Sequence, residues 1–121
     1  MPSKTILSVG QCDIDHSNLS QLIHSLGGAV QRVDTAEETL KQLAENRYAL
    51  VLVNRVFDRD GGDGQALIRT LKQHYPELPV MLVSNFADAQ ATAQAAGAEP
   101  GFGKAALHAP ETAERLKKYL L

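Results

Sequence analysis

Apolar positions in this chain fall into two alternating periods. Five short, nearly continuous apolar runs, Thr5–Val9, Ala29–Val33, Ala49–Asn54, Val80–Ser84 and a weaker Pro100–Gly103, read as buried strands. Between them and after the last lie five stretches at helical spacing. The first carries Leu19, Leu22, Ile23 and Leu26 on one face, and Gly27-Gly28 stops it. Thr35-Ala36-Glu37-Glu38 is a capping box for the second, with Ala36, Leu40, Leu43 and Ala44 expected inward. The third packs Leu67, Ile68, Leu71 and Tyr75 and ends at Pro76. The fourth, Ala87–Ala96, is alanine-rich without a large anchor, and Gly97 stops it. Pro110 opens the fifth, which should bury Ala113, Leu116 and Leu120.

Strands alternating with helices imply a parallel sheet covered on both faces, a three-layer α/β domain. In such folds ligands sit at the carboxyl ends of the strands. That singles out Gly10-Gln11-Cys12-Asp13, Asp34, Asn54-Arg55, Ser84-Asn85 and Lys104.

The 121 residues predict one domain, 1–121, with room for a sizeable core. A net charge of −2 with both signs interspersed gives no electrostatic case for nucleic acid or a membrane surface. No apolar run is long enough to span a bilayer, and Met1-Pro2-Ser3-Lys4 does not read as a signal peptide. The single cysteine, Cys12, excludes an internal disulfide and fits the cytoplasm.

Several motifs dissolve on inspection. Asp58-Arg59-Asp60-Gly61-Gly62-Asp63-Gly64 is acidic enough for a calcium loop. Its third acid falls one place late and no glutamate closes it, so a flexible turn is expected. Ala98–Lys104 ends like a phosphate loop, but Ala98 and Ala105 replace the first glycine and the metal-binding hydroxyl. His16, His24, His74 and His108 lack metal-ligand spacing. Asp13 and Asp15 follow the first strand. Asp15 or a neighbour is expected to cap the first helix rather than to bind metal.

From about Lys4 to Leu120 the chain resembles the receiver domain of bacterial two-component response regulators. Val80-Met81-Leu82-Val83-Ser84 is similar to that family's fourth strand with its terminal Thr or Ser. Gly97-Ala98-Glu99 followed by Lys104 is similar to its Gly-Ala-Asp stretch and the lysine closing the fifth strand. Asp63-Gly64 is similar to the Asp-Gly opening the third helix. The resemblance implies a flavodoxin-like (βα)5 sandwich with strand order 2-1-3-4-5.

The departures from the family pattern matter more. Gly10 and Gln11 stand where the family has two acidic Mg²⁺ ligands. Asn54 stands at the phospho-acceptor aspartate, Gly101 at the switch aromatic with Phe102 beside it, and Ala105 where a proline follows the lysine. The Asn54–Asp63 loop is also about two residues longer than usual. Mg²⁺ requires hard oxygen ligands, and phosphoryl transfer to a carboxylate needs that charge neutralised. Mg²⁺ binding is therefore expected to be weak or absent, no other cofactor is expected, and no catalytic residues are readable. Ser84 and Lys104 would survive as phosphate-sensing remnants, and hydrogen bonds from them to Asn54 are expected.

The function implied is a non-enzymatic pseudo-receiver acting through protein partners. In the family the partner surface is commonly the fourth helix, fifth strand and fifth helix, here Ala87–Ala96, Phe102 and Ala113–Leu121. Homodimerisation is open. Two alternatives stand beside it: a working receiver with Asp58 or Asp60 as surrogate acceptor, and a flavodoxin-like small-ligand domain.

Overall fold

A computed structural model of the chain describes residues 4–120. Leu121, placed at the end of the expected partner surface, lies outside them. Strands β1 (Thr5–Val9), β2 (Ala29–Val33), β3 (Leu50–Asn54), β4 (Val80–Val83) and β5 (Glu99–Phe102) form one parallel sheet ordered β2-β1-β3-β4-β5. This is the expected order. Helices α1 (Asp13–Ser25), α2 (Ala36–Glu45), α3 (Gly64–His74), α4 (Ala87–Ala95) and α5 (Pro110–Lys117) alternate with the strands. A short 3₁₀ turn, Lys104–Ala106, follows β5.

The central strands β1, β3 and β4 bury side chains on both faces, which is why they read as continuous apolar runs. One core layer joins Leu7, Val9, Val51, Val53 and Leu82 to Leu67, Ile68 and Leu71 of α3. The other joins Ile6, Leu50, Leu52 and Met81 to Leu19 and Ile23 of α1 and Leu116 of α5. The two layers put every strand end at one edge of the sheet.

Three details depart from the pattern. α2 turns Thr39 and Leu43 inward, leaving Leu40 and Ala44 exposed. The Thr39 hydroxyl donates to the Thr35 carbonyl at 2.8 Å, so its polar atom is satisfied without leaving the core. α5 buries Thr112 rather than Ala113 in the same way, its hydroxyl donating to the Ala106 carbonyl at 2.6 Å. α4 has only Ala93 fully buried. Its anchor is polar. The Gln90 side chain enters the β4–β5 junction, donating to the carbonyls of Leu82 at 2.8 Å and Ser84 at 3.1 Å and accepting from the Gly101 amide at 3.3 Å.

Candidate functional site

The carboxyl edge of the sheet gathers the expected positions, but their side chains are engaged differently from expectation. Asn54 ends β3 half-buried. Its Nδ2 donates to the Gly10 carbonyl at 3.0 Å and to the Val56 carbonyl at 2.8 Å. Ser84 and Lys104 do not bond to it. The Ser84 hydroxyl accepts from the Phe86 amide at 3.2 Å, turning the chain into α4. Lys104 Nζ instead pairs with Asp15 Oδ2 at 2.5 Å.

Asp15 therefore does not cap α1. The N-cap is Cys12, whose side chain makes no cap bond; its thiol donates to Asp15 at 3.0 Å. Burial pushes the Asp15 carboxyl up, but hydrogen bonds from Lys104 and Cys12 outweigh it and hold the group below its ordinary value of 3.8. A carboxylate depressed on folding stabilises the fold above its unfolded pKa. That contribution is lost as pH falls through the lower folded value. We expect Lys104→Met to shallow the acid limb of a urea-stability profile below about pH 4. An unchanged limb would show that the pair adds nothing.

The β3–α3 loop, expected to be a flexible turn, is tied down along its length. Val56 and Asp63 form an antiparallel bridge, and the Phe57 amide donates to Gly62 O at 2.9 Å. Asp60 Oδ1 accepts from the Gly62 amide at 2.8 Å, and Asp63 caps α3 through the Gln65 amide. The extra length brings Phe57 back under the edge, where it is only 2% exposed and joins the first core layer. Its ring covers Gly10. A Cβ on Gly10 would lie 2.4 Å from Phe57 Cδ1, and Gly10 itself has φ +77°. The Asp58 amide donates to the same Gly10 carbonyl at 3.0 Å.

The donors at this edge do not fit Mg²⁺. Gly10 has no side chain and no room for one, and Asn54 turns an amide N–H inward. Gln11 is fully buried with both amide atoms unpartnered. Of the nearby carboxylates, Asp13, Asp15 and Asp34 serve cations of the protein. Asp13 pairs with Arg32 at 2.8 Å, and Asp34 with Arg32 at 3.5 Å and Arg59 at 3.2 Å. Among the described residues no group of three His, Cys, Asp or Glu side chains could hold a metal ion. His16, beside Arg32, has its pKa pushed down by burial first and by that guanidinium second.

Gly101, expected to stand at the switch-aromatic position, is closed to any side chain. A Cβ there would lie 2.1 Å from the Leu82 carbonyl oxygen and 2.9 Å from Gln90 Oε1. The cause is an irregularity in the β4–β5 pairing: Met81 faces Glu99 and Val83 faces Phe102, so β5 carries one residue more than β4 between them. Arg115 donates to the Gly101 carbonyl from the α5 side. Phe102 is buried in the second core layer. Asn85 Oδ1 lies over Gly103 and accepts from the Ala105 amide at 3.0 Å, in the turn after β5.

The profile of the response regulator receiver domain matches residues 7–118. The chain belongs to that family. No curated protein matches it. A candidate response regulator from Chloroflexus aurantiacus is 25% identical, with TM-score 0.84 over 99% of this chain and 98% of that one. NtrX from Brucella abortus is 24% identical with TM-score 0.76; the match covers 99% of this chain but only 27% of NtrX. The beryllofluoride-activated NtrC4 receiver domain dimer is 20% identical with TM-score 0.77, over 98% and 99% of the two chains.

This receiver domain was legible from its landmarks, but two residues at its carboxyl edge, Phe57 and Gln90, were not. Phe57 gave no signal beyond the length of its loop. Gln90 is one polar residue on an alanine-rich helix, and Asn85 is singled out by its place after β4, but its bond to the Ala105 amide is not. A cleft of about 600 Å³ walled by Leu43, Tyr48, Tyr75 and Leu78 opens at the opposite end of the sheet, away from this edge.

Proposed function

We propose that this receiver domain works in signal transduction without being phosphorylated, as a cytoplasmic adaptor that acts through protein contacts rather than as an enzyme. The observation that carries this reading is the Phe57 ring seated over Gly10 beside the Asn54 amide. Phosphoryl transfer from an anionic donor needs a nucleophile and a neutralising cation. At this edge the nucleophile is an amide and the space beside Gly10 is filled by hydrocarbon. Ser84 and Lys104 are held by Phe86 and Asp15, so neither waits for a phosphate.

The face made by α4, β5 and α5 offers one partner surface. Its outward side chains include Asp88, Ala91, Gln94 and Glu99, all small or polar. Contacts there would rest on polar groups, over a helix that Gln90 holds against the sheet. The NtrC4 receiver forms a dimer in its activated state. By analogy this domain can be expected to pair with protein surfaces, its own included.

Incubation with acetyl phosphate and Mg²⁺, followed by intact-mass measurement, tests the reading. The expected spectrum shows the unmodified chain alone. A stoichiometric, base-labile adduct would sink the proposal, and its position at Asp58 or Asp60 would establish a surrogate acceptor.

A further inference from the structure

We infer that the cleft at the amino edge of the sheet is a binding site for a free amino acid with an aromatic side chain. The end of α2 and its loop to β3 form one side, and the end of α3 and its loop to β4 form the other. Leu43, Tyr48, Tyr75 and Leu78 wall it, rooted in the first core layer. Its volume of about 600 Å³ lies in the range of small-molecule sites. Both loops are already held in place. Gln42 Oε1 accepts from the Tyr48 hydroxyl at 2.9 Å and from Asn46 Nδ2 at 3.2 Å. Lys72 Nζ donates to the carbonyls of Pro76 at 2.9 Å and Leu78 at 2.8 Å, and the Leu78 amide donates to the Tyr75 carbonyl at 3.0 Å. A wall formed in advance spares the ligand the cost of ordering it.

The polar rim says which ligand fits. Arg47 stands on one loop and Glu77 on the other, both exposed. Among the described residues they are the only charged side chains lining the cleft, and neither makes an ion pair. The C-caps of α2 and α3, Asn46 and Tyr75, line it too, so two partly negative helix ends meet there. A plain amine would face Arg47 with nothing to offer it. A plain carboxylate would face Glu77 and the helix ends. A zwitterion matches both, with its ammonium toward Glu77 and the helix ends and its carboxylate on the guanidinium. Both side chains are long and exposed, so they can close on groups that share one carbon. The Tyr48 and Tyr75 rings supply the surface on which an aromatic side chain packs.

Amide NMR titrations of the natural chain with phenylalanine, phenethylamine and 3-phenylpropionate test this. Phenylalanine is expected to bind with Kd on the order of 1 mM, shifting amides at 43–48 and 75–79 and leaving those of Asn54 and Lys104 in place. Each analogue keeps the ring and lacks one charge, and should bind about fivefold more weakly or worse. Arg47→Gln should weaken phenylalanine to the level of phenethylamine, and Glu77→Gln to the level of 3-phenylpropionate. Both positions are exposed, so the variants should fold, and spectra unchanged away from the cleft check that they do. No shift with about 20 mM phenylalanine overturns the inference. So does an analogue that binds as tightly as phenylalanine, or binding indifferent to both substitutions. The site lies at the other end of the sheet from Asn54 and does not depend on the absence of phosphorylation. Acetyl-phosphate labelling would sink that reading and leave this site standing.

Discussion

Asn54→Asp will not restore phosphorylation, and it will fold less stably than the natural chain. In a receiver whose only defect were its acceptor, that one change would rebuild the site. Here the amide has work that a carboxylate cannot do. Asn54 Nδ2 donates to two carbonyl oxygens, those of Gly10 and Val56. An ionised carboxylate would set negative charge against both acceptors and remove the donor each takes from Asn54, leaving the Gly10 carbonyl only the Asp58 amide. Losing two such bonds at a half-buried site costs about 2 kcal/mol. The introduced group gains a partner only when protonated, so its folded pKa is raised. The stability deficit then grows as pH rises through the carboxylate range. Adding Gly10→Asp would not help, because its Cβ meets Phe57 at 2.4 Å on a backbone of positive φ. Urea melts at about pH 4 and pH 7 check the energetics, and intact mass after acetyl-phosphate treatment checks the chemistry. Stoichiometric labelling of the single variant would refute this account of the edge.

Gly101→Tyr, an aromatic at the expected switch position, should destabilise the domain by about 3 kcal/mol or more. Ordinary receiver logic would treat the position as a vacancy open to the larger ring. The irregular β5 pairing removes that freedom. Any Cβ at 101 would stand 2.1 Å from the Leu82 carbonyl, in backbone that cannot retreat without breaking the β4–β5 ladder. The ring would also displace Gln90, orphaning the amide and carbonyls it joins. A denaturation midpoint within experimental error of the natural chain would show that β5 can be straightened at little cost.

The fold was readable because its signals are redundant. The apolar runs of β1, β3 and β4 are buried on both faces, so no choice of register could hide them. Gly27, Pro76 and Gly97 mark helix ends through backbone preferences that hold in any context. At the edge, positions were legible but partners were not. Lys104 was found through the family resemblance, yet its contact with Asp15 joins the turn after β5 to the first turn of α1, far apart in sequence, and no local pattern encodes it. Leu40 and Thr39 exchanged places for a related reason. Helical periodicity tolerates a turn of one position, and the Thr39 hydroxyl found an acceptor within its own helix. Phe57 was hidden because a loop residue enters a core only when the whole loop folds back, which depends on the tertiary fit of Gly10 and Gly62 beneath its ring.

The bond between Lys104 and Asp15 has a consequence for the order in which the domain assembles. β5 is an edge strand with a single neighbour in the sheet, and it belongs to the last βα unit of the chain. Asp15 belongs to the first. Only β3 and β4 lie between β1 and β5 in the sheet, so the pair is expected to close after those strands have paired. A latch of that kind slows opening more than it speeds closing. It keeps the final unit from peeling away from an otherwise finished domain.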